Sequence, residues 1–169
     1  MKQRVALVTG SNRGIGREIV KQLAMKEIEV ILTYRKTADL EAALTKLASE
    51  GVKKVISMKL DVSSQVSVDS ILHEVEKTFE RLDILVNNAA VNGSGIPLMK
   101  MPSEVFDTTM KTNVYSVFYS SRWFTNYLIA KKRPGRIITV SSIHQEVATA
   151  GNADYNASKA ALGLLTKTW

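Results

Sequence analysis

Tyr155 and Lys159 stand four residues apart in Tyr155-Asn156-Ala157-Ser158-Lys159. On a helix that spacing puts a phenol and an ammonium on one face, one turn apart. A phenol alone is a poor base at neutral pH. A neighbouring ammonium favours the phenolate and brings proton transfer within reach. The pair by itself is common on helices and carries little weight. It gains weight from the apolar run Arg136-Ile137-Ile138-Thr139-Val140, which ends in Ser141-Ser142 a short way upstream. A strand there would deliver hydroxyls to the carboxyl edge of a sheet, where open α/β sheets bind ligands.

A second constellation lies near the start. Thr9-Gly10-Ser11-Asn12-Arg13-Gly14-Ile15-Gly16 follows the apolar run Val5-Ala6-Leu7-Val8 and opens a helical stretch. Glycines in that context allow a tight turn and close backbone approach to a pyrophosphate seated on a helix N-terminus. A cluster serving only as a turn is the alternative. The next strand leaves as Thr33-Tyr34-Arg35-Lys36, with no acid at its tip. A carboxylate there would accept the ribose hydroxyls of NAD, whereas a guanidinium grips an added 2′-phosphate with paired bonds. Arg35, with Arg13 inside the turn, therefore predicts NADP(H) over NAD(H), unless Arg35 and Lys36 are merely a solvated loop.

The elements that must position these groups follow from periodicity. Short apolar runs at 5–9, 28–33, 55–60, 84–86 and 136–140 read as buried strands. Helical patterns occupy 14–25, 38–50, 66–79, 103–131 and 155–169. Continuous apolar strands alternating with helices predict an α/β fold, a doubly wound parallel sheet covered on both faces with right-handed crossovers.

The spacing T-G-x-x-x-G-x-G resembles the short-chain dehydrogenase/reductase family, and the resemblance runs the whole length of the chain. It implies a Rossmann-like sheet of order 3-2-1-4-5 and a cofactor set of Gly10, Ser11, Asn12, Arg13, Gly14, Ile15, Gly16 and Arg35. Asp61-Val62 matches the family's adenine-side position. Asn87-Asn88-Ala89-Ala90 matches its N-N-A-G motif with Ala90 in place of glycine; Asn87 and Ala89 would line the adenosine side, or the asparagines would only cap a strand. By the same resemblance Ser142 orients the substrate oxygen, Tyr155 transfers the proton, and Lys159 assists it and holds the nicotinamide ribose. Asn113 matches an asparagine whose carbonyl holds a water leading to the lysine. Asparagine is a poor helix former, so a local distortion for function is expected around it; taken alone, Asn113 reads as an indifferent surface residue. His144 either faces the substrate or is a loop histidine without chemistry.

The activity implied is hydride transfer between NADP(H) and a carbonyl or alcohol, of the ketoreductase, carbonyl reductase or sugar dehydrogenase kind. The alternative is a non-catalytic NADP-binding module or an inactive fragment of such an enzyme. Family members pair through the long helix and the Tyr-Lys helix, so a homodimer or homotetramer is expected of the full-length form. They also continue beyond that helix with two more strands. Residues 1–169 thus read as one dinucleotide-binding and catalytic domain, C-terminally incomplete. Strand 136–140 is then expected to be an exposed edge, and Leu162, Leu165 and Trp169 to lack part of their cover.

Composition narrows the field. A hydrophobic fraction of 45% with 23% charged residues is that of a globular protein. The chain has no cysteine, which excludes disulfides and thiolate metal sites, and its two histidines are not spaced as ligands; no metal is expected. The net charge of +7 is scattered, with no run longer than Lys131-Lys132-Arg133, and reads as solvated helix faces rather than a nucleic-acid surface. No stretch has the length of a signal peptide core or a membrane span, so the expected compartment is the cytoplasm.

Overall fold

The computed structural model describes residues 3–169. Strands β1 (Val5–Val8), β2 (Glu29–Tyr34), β3 (Ile56–Lys59), β4 (Ile84–Asn87) and β5 (Arg136–Thr139) form one sheet of order β3-β2-β1-β4-β5. All its pairings are parallel. The predicted class and strand order hold. Helices α1 (Gly14–Met25), α2 (Ala38–Ser49) and α3 (Gln65–Thr78) alternate with the first strands. Helices α4 (Ser103–Met110) and α5 (Ser116–Lys131) lie between β4 and β5, and α6 (Ala153–Leu165) follows β5.

Burial on both faces explains the unbroken apolar strands. Along β1, Ala6 and Val8 join α1 and α2 residues such as Val20, Ala43 and Leu47 in one cluster. Val5 and Leu7 point the other way and pack with Val68, Leu72, Phe124 and Tyr127 of α3 and α5. A period of two thus feeds two cores from one strand.

Two expectations change. The stretch 103–131 is not one uniform helix: residues Lys111–Tyr115 form a single π turn between α4 and α5. An α-helix would pair the Ser116 N–H with Thr112; here it reaches Lys111, and the Ser116 hydroxyl donates to the Thr112 carbonyl at 2.5 Å instead. The Tyr-Lys helix begins two residues early, at Ala153, and closes in a 3-10 turn, Thr166–Thr168.

β5 is one of the two edge strands, opposite β3, and Ile138 on it is half exposed, at 50%. Trp169 is exposed as expected, whereas Leu162 is fully buried. Leu162 lies on the stripe Asp154–Ser158–Leu162, and α6 packs against α4 and the π turn. No helix among the described residues is long and apolar enough to cross a membrane.

Candidate active site

Parallel pairing brings three strand ends to one edge. Thr9 donates its N–H to the Val86 carbonyl at 2.9 Å, and Val140 donates to Asn87 at 2.9 Å. The glycine turn after β1, the Asn87-Asn88 segment after β4 and the serines after β5 therefore stand in a row. Two strand spacings, about 10 Å, separate its ends.

The glycine turn is held by side chains. The Thr9 hydroxyl accepts the Asn88 and Ala89 N–H groups, each at 3.0 Å, and the Asn88 amide donates to the Thr9 and Gly10 carbonyls at 2.9 and 3.0 Å. Gly10 has φ +60°, and a Cβ there would meet the Ala89 Cα at 2.7 Å. A Cβ on Gly16 would meet the Asn88 amide nitrogen at 2.4 Å and the Gly10 carbonyl oxygen at 2.6 Å. Gly14 differs: its φ is +54°, yet nothing lies within 4 Å of the added carbon. The turn is tight toward the sheet and open outward. No side chain caps α1, and its first turn carries no acid, so amide donors and the positive helix end face open space.

Ser11 is committed to the sheet. Its hydroxyl donates to Val8 and accepts the Thr33 N–H, and its own N–H goes to the Thr33 carbonyl at 3.1 Å. Fully buried, it clamps β1 to β2 and has no donor left. Asn12 is half-buried, and Arg13 and Ile15 are exposed at the mouth of the turn. Arg35 follows β2 directly and is exposed; neither it nor Arg13 forms an ion pair among the described residues. Asp61 is half-buried, with one carboxylate oxygen engaged by Ser63, and Val62 packs on the α3/α5 core. The Asn87 amide is turned inward, donating to Ser121 at 3.0 Å and accepting from Ser120 at 2.7 Å. Its side chain ties the end of β4 to α5.

At the other end of the row, the Lys159 ammonium donates to the Val140 carbonyl at 3.0 Å and lies 5.5 Å from the centre of the Tyr155 ring. Lys159 is 3% exposed, and burial pushes its pKa below the usual lysine range. Ser142 opens the turn Ile143–Gln145, its oxygen accepting the His144 N–H at 3.2 Å. His144 meets Tyr155 edge-on, ring centres 5.7 Å apart.

Asn113 is completely buried in the π turn. Its side chain exchanges hydrogen bonds with the Val91 backbone, accepting at 2.8 Å and donating at 3.1 Å, and donates to Ser158 at 3.0 Å. One turn earlier, the Thr109 hydroxyl donates to Asp154 at 2.9 Å. The two rungs, 109 to 154 and 113 to 158, share an offset of 45 residues and fix α6 beside α4 and the π turn. Thr9, Asn88, Asp154 and Ser158 are thus positioning residues outside the predicted set. The four-residue stripes 109/113/117 and 154/158/162 were a signal available in the sequence.

Comparison with known proteins agrees with this geometry. Residues 4–169 match the short chain dehydrogenase family. The chain is 36% identical over 159 residues to the 3-oxoacyl-(acyl-carrier-protein) reductase of Escherichia coli, covering 94% of this chain and 63% of that protein. It is 35% identical to gluconate 5-dehydrogenase of Gluconobacter oxydans, covering 96% of this chain and 62% of that one. Among solved structures, a metagenomic short-chain oxidoreductase in complex with NADP superposes with a TM-score of 0.87 at 34% identity, over 97% of this chain and 74% of its own. Sequence motifs, strand order and edge geometry agree: the chain belongs to the short-chain dehydrogenase family.

Proposed function

We propose that the protein is an oxidoreductase that transfers a hydride between NADP(H) and a carbonyl or alcohol substrate. The observation that carries the reading is the placement of Lys159 and Tyr155, side by side, at the strand edge that also bears the uncapped glycine turn. NADP in the related metagenomic oxidoreductase supports it.

The residues present fit the dinucleotide. The open space outside Gly14 and the free amides of the first turn of α1 suit a pyrophosphate. Arg13 and Arg35 carry unpaired guanidinium groups for a ribose phosphate, and Asp61 retains one carboxylate oxygen for the adenosine side. NADPH, when bound, supplies the hydride, and the chain supplies position and proton.

In the reduction direction Ser142 and Tyr155 hold the substrate oxygen. Ser142 keeps its hydroxyl proton to donate, because its hydrogen bond from His144 uses only a lone pair. Tyr155 gives its proton to that oxygen as negative charge develops there. The buried Lys159 ammonium, with no carboxylate partner among the described residues, stabilises the phenolate left behind. Asn113 positions both by locking α6 through Ser158. The compartment in this reading is the cytoplasm, and copies pair across the face of α5 that exposes Phe118 and Ile129. Tyr155→Phe is expected to lower turnover at least about a hundredfold while NADPH still quenches the protein's fluorescence. Turnover retained in that variant would overturn the assignment.

A further inference from the structure

His144 has no part in the proton transfer just described, yet it is the side chain that packs edge-on against Tyr155, ring centres 5.7 Å apart. Its orientation is built in. Nδ1 lies 2.8 Å from the Val147 carbonyl, which can only accept, so Nδ1 carries the proton. Its backbone N–H is held by the Ser142 hydroxyl oxygen. The loop that carries it is in turn tied to α6, where the Asn156 amide donates to the Thr149 carbonyl at 2.9 Å. With Nδ1 committed, the neutral imidazole has its lone pair on Nε2, an acceptor with no partner among the described residues.

We infer that His144 is a specificity-determining residue and that Nε2 accepts a hydrogen bond from a hydroxyl on the carbon next to the reacting one. The inference rests on the catalytic reading above. The edge contact with Tyr155 and the bond from the His144 N–H to Ser142 set the imidazole next to both residues that hold the reacting oxygen, so the adjoining carbon comes within its reach. A hydroxyl there meets an acceptor; a methylene there leaves Nε2 desolvated and unpaired, which is the stronger discriminator. The substrate class is α-hydroxy ketones and their vicinal diols, in preference to simple ketones and alcohols.

The test compares 3-hydroxy-2-butanone with 2-butanone, one carbon skeleton with and without the hydroxyl, as NADPH-dependent substrates of the complete gene product. His144→Asn retains a donor in the place of Nδ1 and deletes the outer acceptor; His144→Gln retains an acceptor near Nε2. The kcat/KM ratio of hydroxyketone to ketone is expected to fall about fivefold in His144→Asn and to be partly restored in His144→Gln. Saturation-transfer NMR of meso-2,3-butanediol on the NADPH-loaded protein, where the reduced cofactor cannot take a hydride from the diol, gives a readout without turnover, with the signal lost in His144→Asn. An unchanged ratio and an unchanged diol signal in His144→Asn overturn the inference and leave the catalytic reading standing. Failure of the unmutated protein to oxidise NADPH with either ketone overturns the catalytic reading itself, and this inference with it.

Discussion

The two edges of the sheet are built from the same five strands, yet they treat buried polar groups in opposite ways. At the amino edge Asp83, 7% exposed, accepts the Val5 N–H at 2.9 Å and pairs with the Arg81 guanidinium. Burial pushes this carboxyl up, but Arg81 and the Val5 amide outweigh burial and hold it below the usual carboxylate range. Nearby, the Tyr127 hydroxyl accepts the Leu82 N–H at 3.1 Å. At the carboxyl edge Lys159 is buried as deeply with the Val140 carbonyl as its hydrogen-bond partner, and the Thr139 and Ser141 hydroxyls are buried without partners among the described residues. The first edge closes on itself. The second leaves charge and donors unpaired among the described residues.

The contrast can be broken at either edge. The largest effect is expected at the open one. Lys159→Met should lower turnover about a hundredfold or more without unfolding the chain. The same variant sharpens the comparison through pH. Burial lowers the folded-state pKa of Lys159, so between that value and the ordinary one near 10.4 the unfolded chain holds more protons. Stability of the unmutated protein should therefore rise with pH across that interval, and the rise should be missing from Lys159→Met when both are melted between pH 7 and 10. Parallel melting curves would show that the ammonium is not penalised.

At the closed edge, Asp83→Ala should cost about 3 kcal/mol in urea unfolding, because it leaves the buried Val5 N–H without the Asp83 carboxylate and breaks the pair with Arg81. The sign in pH is the reverse of the lysine's. The contribution of Asp83 is complete above the ordinary carboxylate pKa of about 4 and is lost as pH falls through the lower folded value. A stability difference from Asp83→Ala that persists undiminished in strong acid would refute the pairing. The smallest effect is at the rim: Arg35→Asp should shift the NADPH-over-NADH preference by roughly 2 kcal/mol, a thirty-fold change, read by titrating both cofactors.

What the sequence disclosed depended on whether one residue type had one physical use. The strands were legible because a two-sided core demands unbroken apolar runs, and Val5-Ala6-Leu7-Val8 can be little else. The turn was legible because Gly10 and Gly16 stand where a Cβ collides. Ser11 was less legible, because a hydroxyl in a phosphate loop and a hydroxyl clamping two strands look alike in one dimension; the Val8 and Thr33 bonds show the clamp. Asp154 and Ser158 escaped notice because their partners are 45 residues away. Asn113 lay between these cases: its poor helix propensity announced a distortion, and the π turn supplied its form.

That π turn constrains how this protein can vary in length. A π turn holds one residue more than an α turn, so Lys111–Tyr115 takes up its extra member locally and leaves α5 in phase. A one-residue deletion inside the turn would close it to ordinary α geometry and keep Phe124 and Tyr127 in the core, at the expense of the widening around Asn113. A deletion within α5 has no such slack, and turns everything after it by about 100°.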